Sequence, residues 1–187
     1  GSGDDYVATF IYEKNGQRGV FTLNRLPDST WTFVEARTIA KEDNIAESDY
    51  PELAFRDADG NYRDSLAAQG NVIVISVTNP SSVSGKRWRN VAETGASAVE
   101  AGFRFILLAS SSMDKLSGSI SASGISGEQA DFLLRNAYIS DYKTLVSLNR
   151  SNGGAVYFND GNLIEKWSGA SLPDLKDLKR RIRQDST

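Results

Sequence analysis

The chain has 187 residues, 40% hydrophobic and 24% charged, with a formal net charge of −3, and it contains neither cysteine nor histidine. Length and composition fit one domain with a sizeable core, and they exclude a disordered chain, a collagen-like repeat and a disulfide scaffold. The two missing residue types exclude thiol nucleophiles, zinc–thiolate sites, histidine-ligated metals and Ser–His catalytic pairs.

The N-terminal part of the chain predicts a β structure that extends from a separate body. Residues 1–3 are typical of an expression scar, and residues 4–40 form the extension. Asn15-Gly16 favours a tight hairpin turn. A polar linker is predicted at Lys41–Tyr50, and residues 50–187 form the body. The predicted strands of the extension are Tyr6–Tyr12, Gly19–Leu23 and Trp31–Ile39. In the last of these strands, the side chains of Trp31 and Phe33 are predicted to lie in apolar surroundings.

The clearest signal in the body is Asn71–Val77, a β-branched apolar run typical of a strand buried on both faces of a parallel sheet. An amphipathic helix is predicted at Lys86–Ala101, closed by Gly102, and a second apolar strand at Phe103–Ala109. Strand, helix and strand with short connections predict a βαβ unit with parallel strands.

The rest of the body is less regular. Ser110–Ser126 is rich in serine and glycine, which predicts an irregular surface segment with a short helix at Met113–Leu116. Asp160-Gly161-Asn162 predicts a three-residue hairpin connection, and Pro173 opens a final helix. The other predicted elements are a short strand at Leu53–Phe55, a short helix at Arg63–Gln69, helices at Gly127–Ala137 and Asp141–Asn149, and hairpin strands at Ala155–Asn159 and Leu163–Trp167.

A parallel βαβ half followed by a ββα half is the arrangement of the thioredoxin fold. We therefore predict an α/β, thioredoxin-like fold, with a central mixed sheet of four or five strands flanked by helices. The N-terminal β-extension either packs on this body or adds to a neighbour's sheet edge.

Two strings of residues also resemble one family. WTFVEA at residues 31–36 and LNRSNGGAVYFNDGNLIEKW at residues 148–167 are similar to the carboxy-terminal soluble region of DoxX-like membrane proteins of Bacteroidetes. The resemblance implies a thioredoxin-like domain, excised here as a soluble piece, on the periplasmic side of the inner membrane. The sequence departs from the family pattern at Gly153, where the pattern has the proline that the thioredoxin fold keeps beside its active site.

The cysteine pair of thioredoxin-like oxidoreductases opens the helix after the central strand, where the helix N-terminus lowers the thiol pKa. The matching segment here is Asn79–Gly85, and Ser81 and Ser84 have the nearest spacing. A serine hydroxyl forms neither a low-pKa anion nor a disulfide. We therefore predict a non-catalytic module without a cofactor, which binds a protein partner or its own membrane domain and no nucleic acid. The alternative is a thiol-disulfide oxidoreductase or peroxiredoxin-like enzyme whose cysteines have been replaced.

The candidate partner face combines this segment with a second polar loop that the fold would bring nearby. The simpler interpretation of that second loop is a turn that satisfies its own backbone. The candidate residues are Asn79, Ser81, Ser82, Ser84, Arg150, Ser151 and Asn152.

Three other patterns carry weaker hypotheses. Asp57 and Asp59 lie in a turn whose glycine is misplaced for an EF-hand calcium loop, so a plain turn is favoured and no metal is expected. Lys86 lies close to Ser84, but such neighbours are common in loops that do not catalyse. The basic residues of Lys176–Arg183 predict a solvated face of the terminal helix, with a membrane or acidic-partner patch as the alternative.

Overall fold

The computed structural model describes residues 6–22, 25–40 and 53–185, and these residues form two β-sheets and five α-helices. The strands are β1 Tyr6–Lys14, β2 Gln17–Thr22, β3 Thr32–Ala40, β4 Asn71–Val77, β5 Arg104–Ala109, β6 Ala137–Ile139, β7 Gly154–Asn159 and β8 Asn162–Trp167. The helices are α1 Gly85–Ala101, α2 Met113–Ala122, α3 Gly127–Arg135, α4 Tyr142–Leu148 and α5 Leu175–Asp185.

The five-stranded sheet of the body has the order β6-β5-β4-β7-β8. β4 and β5 run parallel, in register from Val72 opposite Arg104 to Val77 opposite Ala109, and β6 continues the parallel half. β7 is antiparallel to β4, and β8 is antiparallel to β7. A parallel pair joined by a helix, followed by an antiparallel hairpin and a terminal helix, is the thioredoxin fold, so the predicted fold is confirmed.

Alternate side chains of β4 pack into two hydrophobic cores, one on each face of the sheet. This explains why the sequence of β4 is apolar without interruption. Ile73, Ile75 and Val77 pack with α1, α2, α3 and α5 on one face of the sheet. Val72 and Val74 pack on the other face with α4 and with the segment that contains Phe55. All five of these β4 side chains have no solvent exposure.

The N-terminal sheet is antiparallel, with the order β2-β1-β3. Asn15 and Gly16 both have left-handed φ values, 54° and 79°, so the predicted two-residue turn is confirmed. Trp31 is buried as expected, but Phe33 is 53% exposed, so its predicted apolar position is wrong. Phe33 lies on the edge strand β3, where the ring of Tyr12 contacts it from β1.

The serine- and glycine-rich segment after β5 is more regular than its composition predicts. Met113–Ala122 forms a ten-residue helix instead of an irregular segment with one short turn. The Ser112 hydroxyl caps it by accepting the N–H of Lys115 at 3.1 Å. Leu116 and Ile120, one turn apart, are fully buried in the body core, and this packing outweighs the weak helix propensity of the segment.

Two predicted boundaries near β6 are wrong. The helix expected to reach Ala137 ends at Arg135, and Ala137–Ile139 is a strand that pairs with β5. The predicted strand Leu53–Phe55 is absent from this part of the structure. Instead, the adjacent Arg56 makes isolated bridges to Tyr62 and Ile139, because the chain turns back immediately after it.

The C-terminal hairpin and helix differ in detail from their predicted forms. Asn159 pairs with Asn162, so the hairpin turn has two residues, not three. The last helix begins at Leu175, after Pro173, because the Asp174 carboxylate caps it by accepting the N–H of Asp177 at 2.8 Å.

The predicted expression scar at residues 1–3 and the predicted linker at Lys41–Tyr50 lie outside the described residues. Within the described ranges, no helix has both the length and the hydrophobicity needed to cross a bilayer.

Candidate functional site

The first loop of the candidate face joins the carboxyl end of β4 to the N-terminus of α1. Its residues Pro80–Ser82 form a 3-10 turn. Ser84 then caps the 17-residue helix α1, since its hydroxyl accepts the N–H of Arg87 at 3.2 Å. The Ser84 hydroxyl therefore stands at the positive end of a long helix, the position that favours an anion when a thiol occupies it.

Asn79 organises this loop through its side-chain amide. Its Oδ1 accepts the hydroxyl of Ser81 at 2.8 Å, and its Nδ2 donates to the hydroxyl oxygen of Ser82, also at 2.8 Å. Both serine hydroxyls are thus engaged with one side chain, although all three residues remain exposed to solvent.

The second loop closes against the first through Asn152. The Asn152 amide donates from Nδ2 to the carbonyl oxygen of Asn79 at 2.9 Å, and its Oδ1 accepts the N–H of Asn79 at 3.2 Å. One side chain therefore satisfies both backbone groups of a residue 73 positions away, as a neighbouring strand would. The predicted proximity of the two loops is present in the structure.

Ser151 and Asn149 connect the second loop to the segment after β8. The Ser151 hydroxyl accepts the N–H of Gly169 at 2.8 Å. Asn149 is only 8% exposed, and its amide donates to the carbonyl oxygens of Ala155 and Trp167, at 3.2 and 2.9 Å. Its Oδ1 accepts the N–H of Ser151 at 3.0 Å. The hydrogen bonds of Asn149 therefore hold the second loop in place against β7 and β8.

Gly153 explains why a proline cannot stand at this position in this backbone. Its φ is +85°, whereas proline is restricted to about −65°. Its N–H donates to the carbonyl oxygen of Ser76 at 2.7 Å, and proline has no N–H. The departure from the family pattern at Gly153 thus changes the local hydrogen bonding as well as the residue.

Gly169 brings a third loop into the site. A Cβ atom built on Gly169 would lie 2.8 Å from Nη1 of Arg87 and 2.9 Å from the carbonyl oxygen of Asn152. Such distances are shorter than van der Waals contact, so only glycine lets Ser168–Ala170 approach α1 and the second loop this closely. We define the candidate face as residues 79–84, 149–153 and 168–170.

The candidate face is electropositive. Lys86, Arg87 and Arg150 are exposed around it, and the N-terminus of α1 adds a partial positive charge. None of the residues that define the face is acidic. An anionic group approaching this surface is therefore attracted by both side-chain and helix charge.

Sequence reasoning missed Asn149, Gly169 and Arg87, which complete the site. Asn149 had a usable signal, because a polar residue at the end of an apolar helical stretch often satisfies nearby backbone groups. Gly169 and Arg87 had none, since their contact joins segments 82 residues apart in the sequence. The predicted residues divide into the linked pair Asn79 and Asn152, the loop serines 81 and 82, the helix cap Ser84, the supporting Ser151 and the exposed Arg150.

The acidic turn at Asp57 is a structural turn. The Asp57 carboxylate accepts the N–H groups of Asp59 and Asn61, both at 3.0 Å, and the Nε of Arg63 at 2.8 Å. Burial raises the pKa of Asp57, but these donors outweigh it and hold that pKa below its usual value. Across the described ranges, no group of three or more carboxylates is placed to hold a metal ion.

Comparison with known families gives a match in the N-terminal part of the chain. A family described as a domain of unknown function (DUF8463) matches residues 6–43, which include all three strands of the N-terminal sheet and none of the body. No curated protein matches the chain in sequence.

Solved structures of thioredoxin-like proteins resemble about seven tenths of the chain. An exposed lipoprotein thioredoxin from Streptococcus pneumoniae is 13% identical, with a TM-score of 0.49 over 71% of this chain and 98% of its own. A SCO1/SenC family lipoprotein from Bacillus anthracis is 14% identical, with a TM-score of 0.47 over 72% and 93%. The thioredoxin domain of a thiol-disulfide oxidoreductase from Bacteroides vulgatus is 12% identical, with a TM-score of 0.46 over 72% and 93%. The strand order described above establishes the thioredoxin-like fold independently of these scores.

Proposed function

We propose that this chain is a non-catalytic thioredoxin-like module that binds a polypeptide partner through the candidate face. The observation that carries the proposal is the pair Ser81 and Ser84 at the start of α1, in a chain that contains no cysteine. The scaffold keeps the helix N-terminus that would activate a thiol, but a serine hydroxyl there has no accessible anion and no disulfide chemistry.

The hydrogen bonds of the face support a recognition role. Asn79 and Asn152 fix the two loops relative to each other, and Ser151 fixes the second loop to Gly169. Because these bonds form within the free chain, a partner meets loops that are already ordered, and binding costs less conformational entropy. Preorganised polar loops around a helix N-terminus suit an extended polypeptide better than a buried small molecule.

The charge of the face indicates the chemistry of the partner. Lys86, Arg87 and Arg150 surround a face without acidic residues, although the whole chain has a net charge of −3. We propose a partner segment that presents Asp or Glu side chains, from a separate protein or from the membrane domain of the same protein.

A charge-reversal pull-down tests this proposal. We expect the double variant Lys86→Glu/Arg150→Glu to lose a partner that the unaltered chain captures from cells of the source organism. The matched control is Lys179→Glu/Arg180→Glu, which makes the same change in net charge on exposed residues of α5. Retention of the partner by the first variant, or its loss from both, contradicts binding at this face.

The alternative, an oxidoreductase whose cysteines have been replaced, makes a different prediction. The native reading frame would then encode cysteine at position 81, 82 or 84. Native serines at all three positions eliminate this alternative, whereas one cysteine codon replaces the non-catalytic proposal with a thiol enzyme.

We also propose that the module lies on the periplasmic side of the inner membrane in a DoxX-type protein. The support is the resemblance of residues 31–36 and 148–167 to that family. An alkaline phosphatase fused after Thr187 in the full-length protein should be active, because that enzyme folds only outside the cytoplasm. An inactive fusion that is present at normal amounts contradicts this location.

A further inference from the structure

Within the described ranges, aromatic side chains and an ion pair join the N-terminal sheet to the body. The ring of Phe21 on β2 meets the rings of Trp31 and Tyr62 edge to face, at centroid distances of 5.3 and 5.8 Å. Arg25, shortly after β2, pairs with Asp141 at 3.0 Å. Phe21 is 2% exposed, so this contact is a true packing interface between the two parts of the chain.

A cleft of about 220 Å³ lies beside these aromatic residues, between the sheet and the body. Arg18 and Val20 of β2 line one side, and Phe158 of β7 lines the other with the 3-10 turn Asp64–Ala67. The cleft therefore changes shape whenever the sheet moves relative to the body.

Asp64, on the 3-10 turn of the body, is an ionisable group that faces the sheet at this cleft. Its Oδ2 lies 3.5 Å from the position that a Cβ atom would take on Gly19, so the carboxyl lies directly against the backbone of β2. Its Oδ1 is shielded from solvent and has no hydrogen-bond partner among the described residues. An ionised carboxylate with a shielded, unpartnered oxygen is costly to keep at such an interface.

We propose that Asp64 is a proton-controlled latch, which holds the N-terminal sheet firmly on the body when its carboxyl is neutral and loosens it when the carboxyl is ionised. The device rests on the packing of β2 against the 3-10 turn, since the charge forms where the two parts meet. It goes beyond the proposed function and involves none of the residues of the candidate face.

The charged groups around Asp64 leave it without a direct ion pair among the described residues. Arg18 faces the same cleft from β2, and Arg25 lies close enough to act on Asp64 but is held by Asp141. On the body side, Arg63 is held by Asp57, as described above. The Asp160 carboxylate, next to the Gly161 that also lines the cleft, accepts the N–H of Gly70 at 2.8 Å.

The pH dependence of docking follows from the direction in which the pKa of Asp64 is shifted. Burial raises the pKa of Asp64 to about 6, and two backbone N–H groups and Arg25 offset only part of that rise. The docked sheet holds the proton more tightly than the undocked sheet does, so docking weakens as pH rises from about 4 to about 6 and then becomes constant. A difference of roughly two pKa units corresponds to a change of about 100-fold in the docking equilibrium.

Hydrogen exchange followed by mass spectrometry tests the latch. Exchange rates between pH 4.5 and 7.5 are corrected for their intrinsic pH dependence, and β4 serves as an internal reference. We expect protection of β1, β2 and β3 to fall by roughly 25-fold across this pH range, because part of the 100-fold change lies below pH 4.5, while β4 does not change. Asp64→Asn, which cannot ionise, should keep the protection of the low-pH form throughout, whereas the matched control Asp59→Asn should behave like the unaltered chain.

Two results would overturn the latch. One is protection that falls equally in the unaltered chain and in Asp64→Asn. The other comes from a carboxyl ¹³C NMR titration of the unaltered chain, which needs no variant to fold. A midpoint for Asp64 near pH 6 supports the latch, and a midpoint below about 4.5 contradicts it.

Discussion

The candidate face and the junction between sheet and body differ in how completely hydrogen bonds satisfy their polar groups. On the face, the Asn152 side chain satisfies both backbone groups of Asn79, and the Asn149 side chain satisfies backbone groups of Ser151, Ala155 and Trp167. At the junction, aromatic rings provide the packing, and the Asp64 Oδ1 is buried with no hydrogen-bond partner in the part of the chain that the structure describes. A satisfied polar network fixes one geometry, whereas an unsatisfied charge makes an interface sensitive to its surroundings. We therefore propose recognition at the face and conformational response at the junction.

The largest expected effect is the loss of stability when the packing between the N-terminal sheet and the body is disrupted. Phe21→Ala removes a buried ring that contacts three other aromatic residues, and we expect a loss of about 3–4 kcal/mol in the free energy of unfolding. Urea denaturation measures it. The matched control is Phe33→Ala, a half-exposed ring of the same sheet, which should cost less than about 1 kcal/mol. Equal losses would show that Phe21 does not anchor the sheet.

The next largest effect is the loss of stability when the hydrogen bonds that hold the candidate face are removed. Asn149→Ala leaves the carbonyl oxygens of Ala155 and Trp167 without this donor in a largely buried position. We expect a loss of about 2–3 kcal/mol by urea denaturation. Asn162→Ala, at the exposed hairpin turn, is the control and should cost less than about 0.5 kcal/mol. A loss at position 149 as small as the control's would mean that the network does not hold the face.

A thiol introduced at the candidate face measures the electrostatic potential there through its pKa. Ser84→Cys places a thiol at the N-cap of α1, and we expect a pKa roughly one unit below the usual value of about 8.5. Ser121→Cys, in the last turn of α2, is the control, because the opposite helix end does not lower a thiol pKa. The pH dependence of alkylation by iodoacetamide gives both values. Identical pKa values for the two thiols would refute an electropositive face.

The smallest effect separates the two hydrogen bonds of Asn152. Asn152→Ala removes both bonds to the backbone of Asn79, and we expect a loss of about 1 kcal/mol, a fall in Tm of roughly 3 °C. Asn152→Asp keeps the acceptor for the Asn79 N–H but sets a carboxylate oxygen against the Asn79 carbonyl oxygen, so its Tm should lie at or below that of the alanine variant. An aspartate variant as stable as the unaltered chain would contradict the bond from Asn152 Nδ2 to the Asn79 carbonyl oxygen.

Local signals in the sequence were sufficient for the central βαβ unit. NVIVISV predicted a strand buried on both faces, and Gly102 marked the end of α1, because burial and backbone conformation restrict those residues directly. The same reasoning failed for Met113–Ala122 and Ala137–Ile139. Their helix and strand depend on packing against the core and pairing with β5, and neither contact leaves a periodic pattern in a short polar segment.

The candidate site was predictable only in part for the same reason. Ser81 and Ser84 could be located because they follow a recognisable strand, and Asn152 because its turn was expected to meet that loop. The pairing of Asn152 with the backbone of Asn79, and the approach of Arg87 to Gly169, depend on how the finished fold brings distant segments together. Asp64 gave no signal at all, since its burial comes from a separate sheet that packs over it.

Site-specific photo-crosslinking in cells tests whether the candidate face binds a polypeptide partner. A benzophenone side chain is placed in the full-length protein at Ser82 on the face, or at Val99, an exposed residue about 22 Å further along α1. We expect one discrete crosslinked polypeptide from position 82, absent from position 99 and lost in the Lys86→Glu/Arg150→Glu background. The same product from both positions, or none from position 82, would contradict a recognition surface at the start of α1.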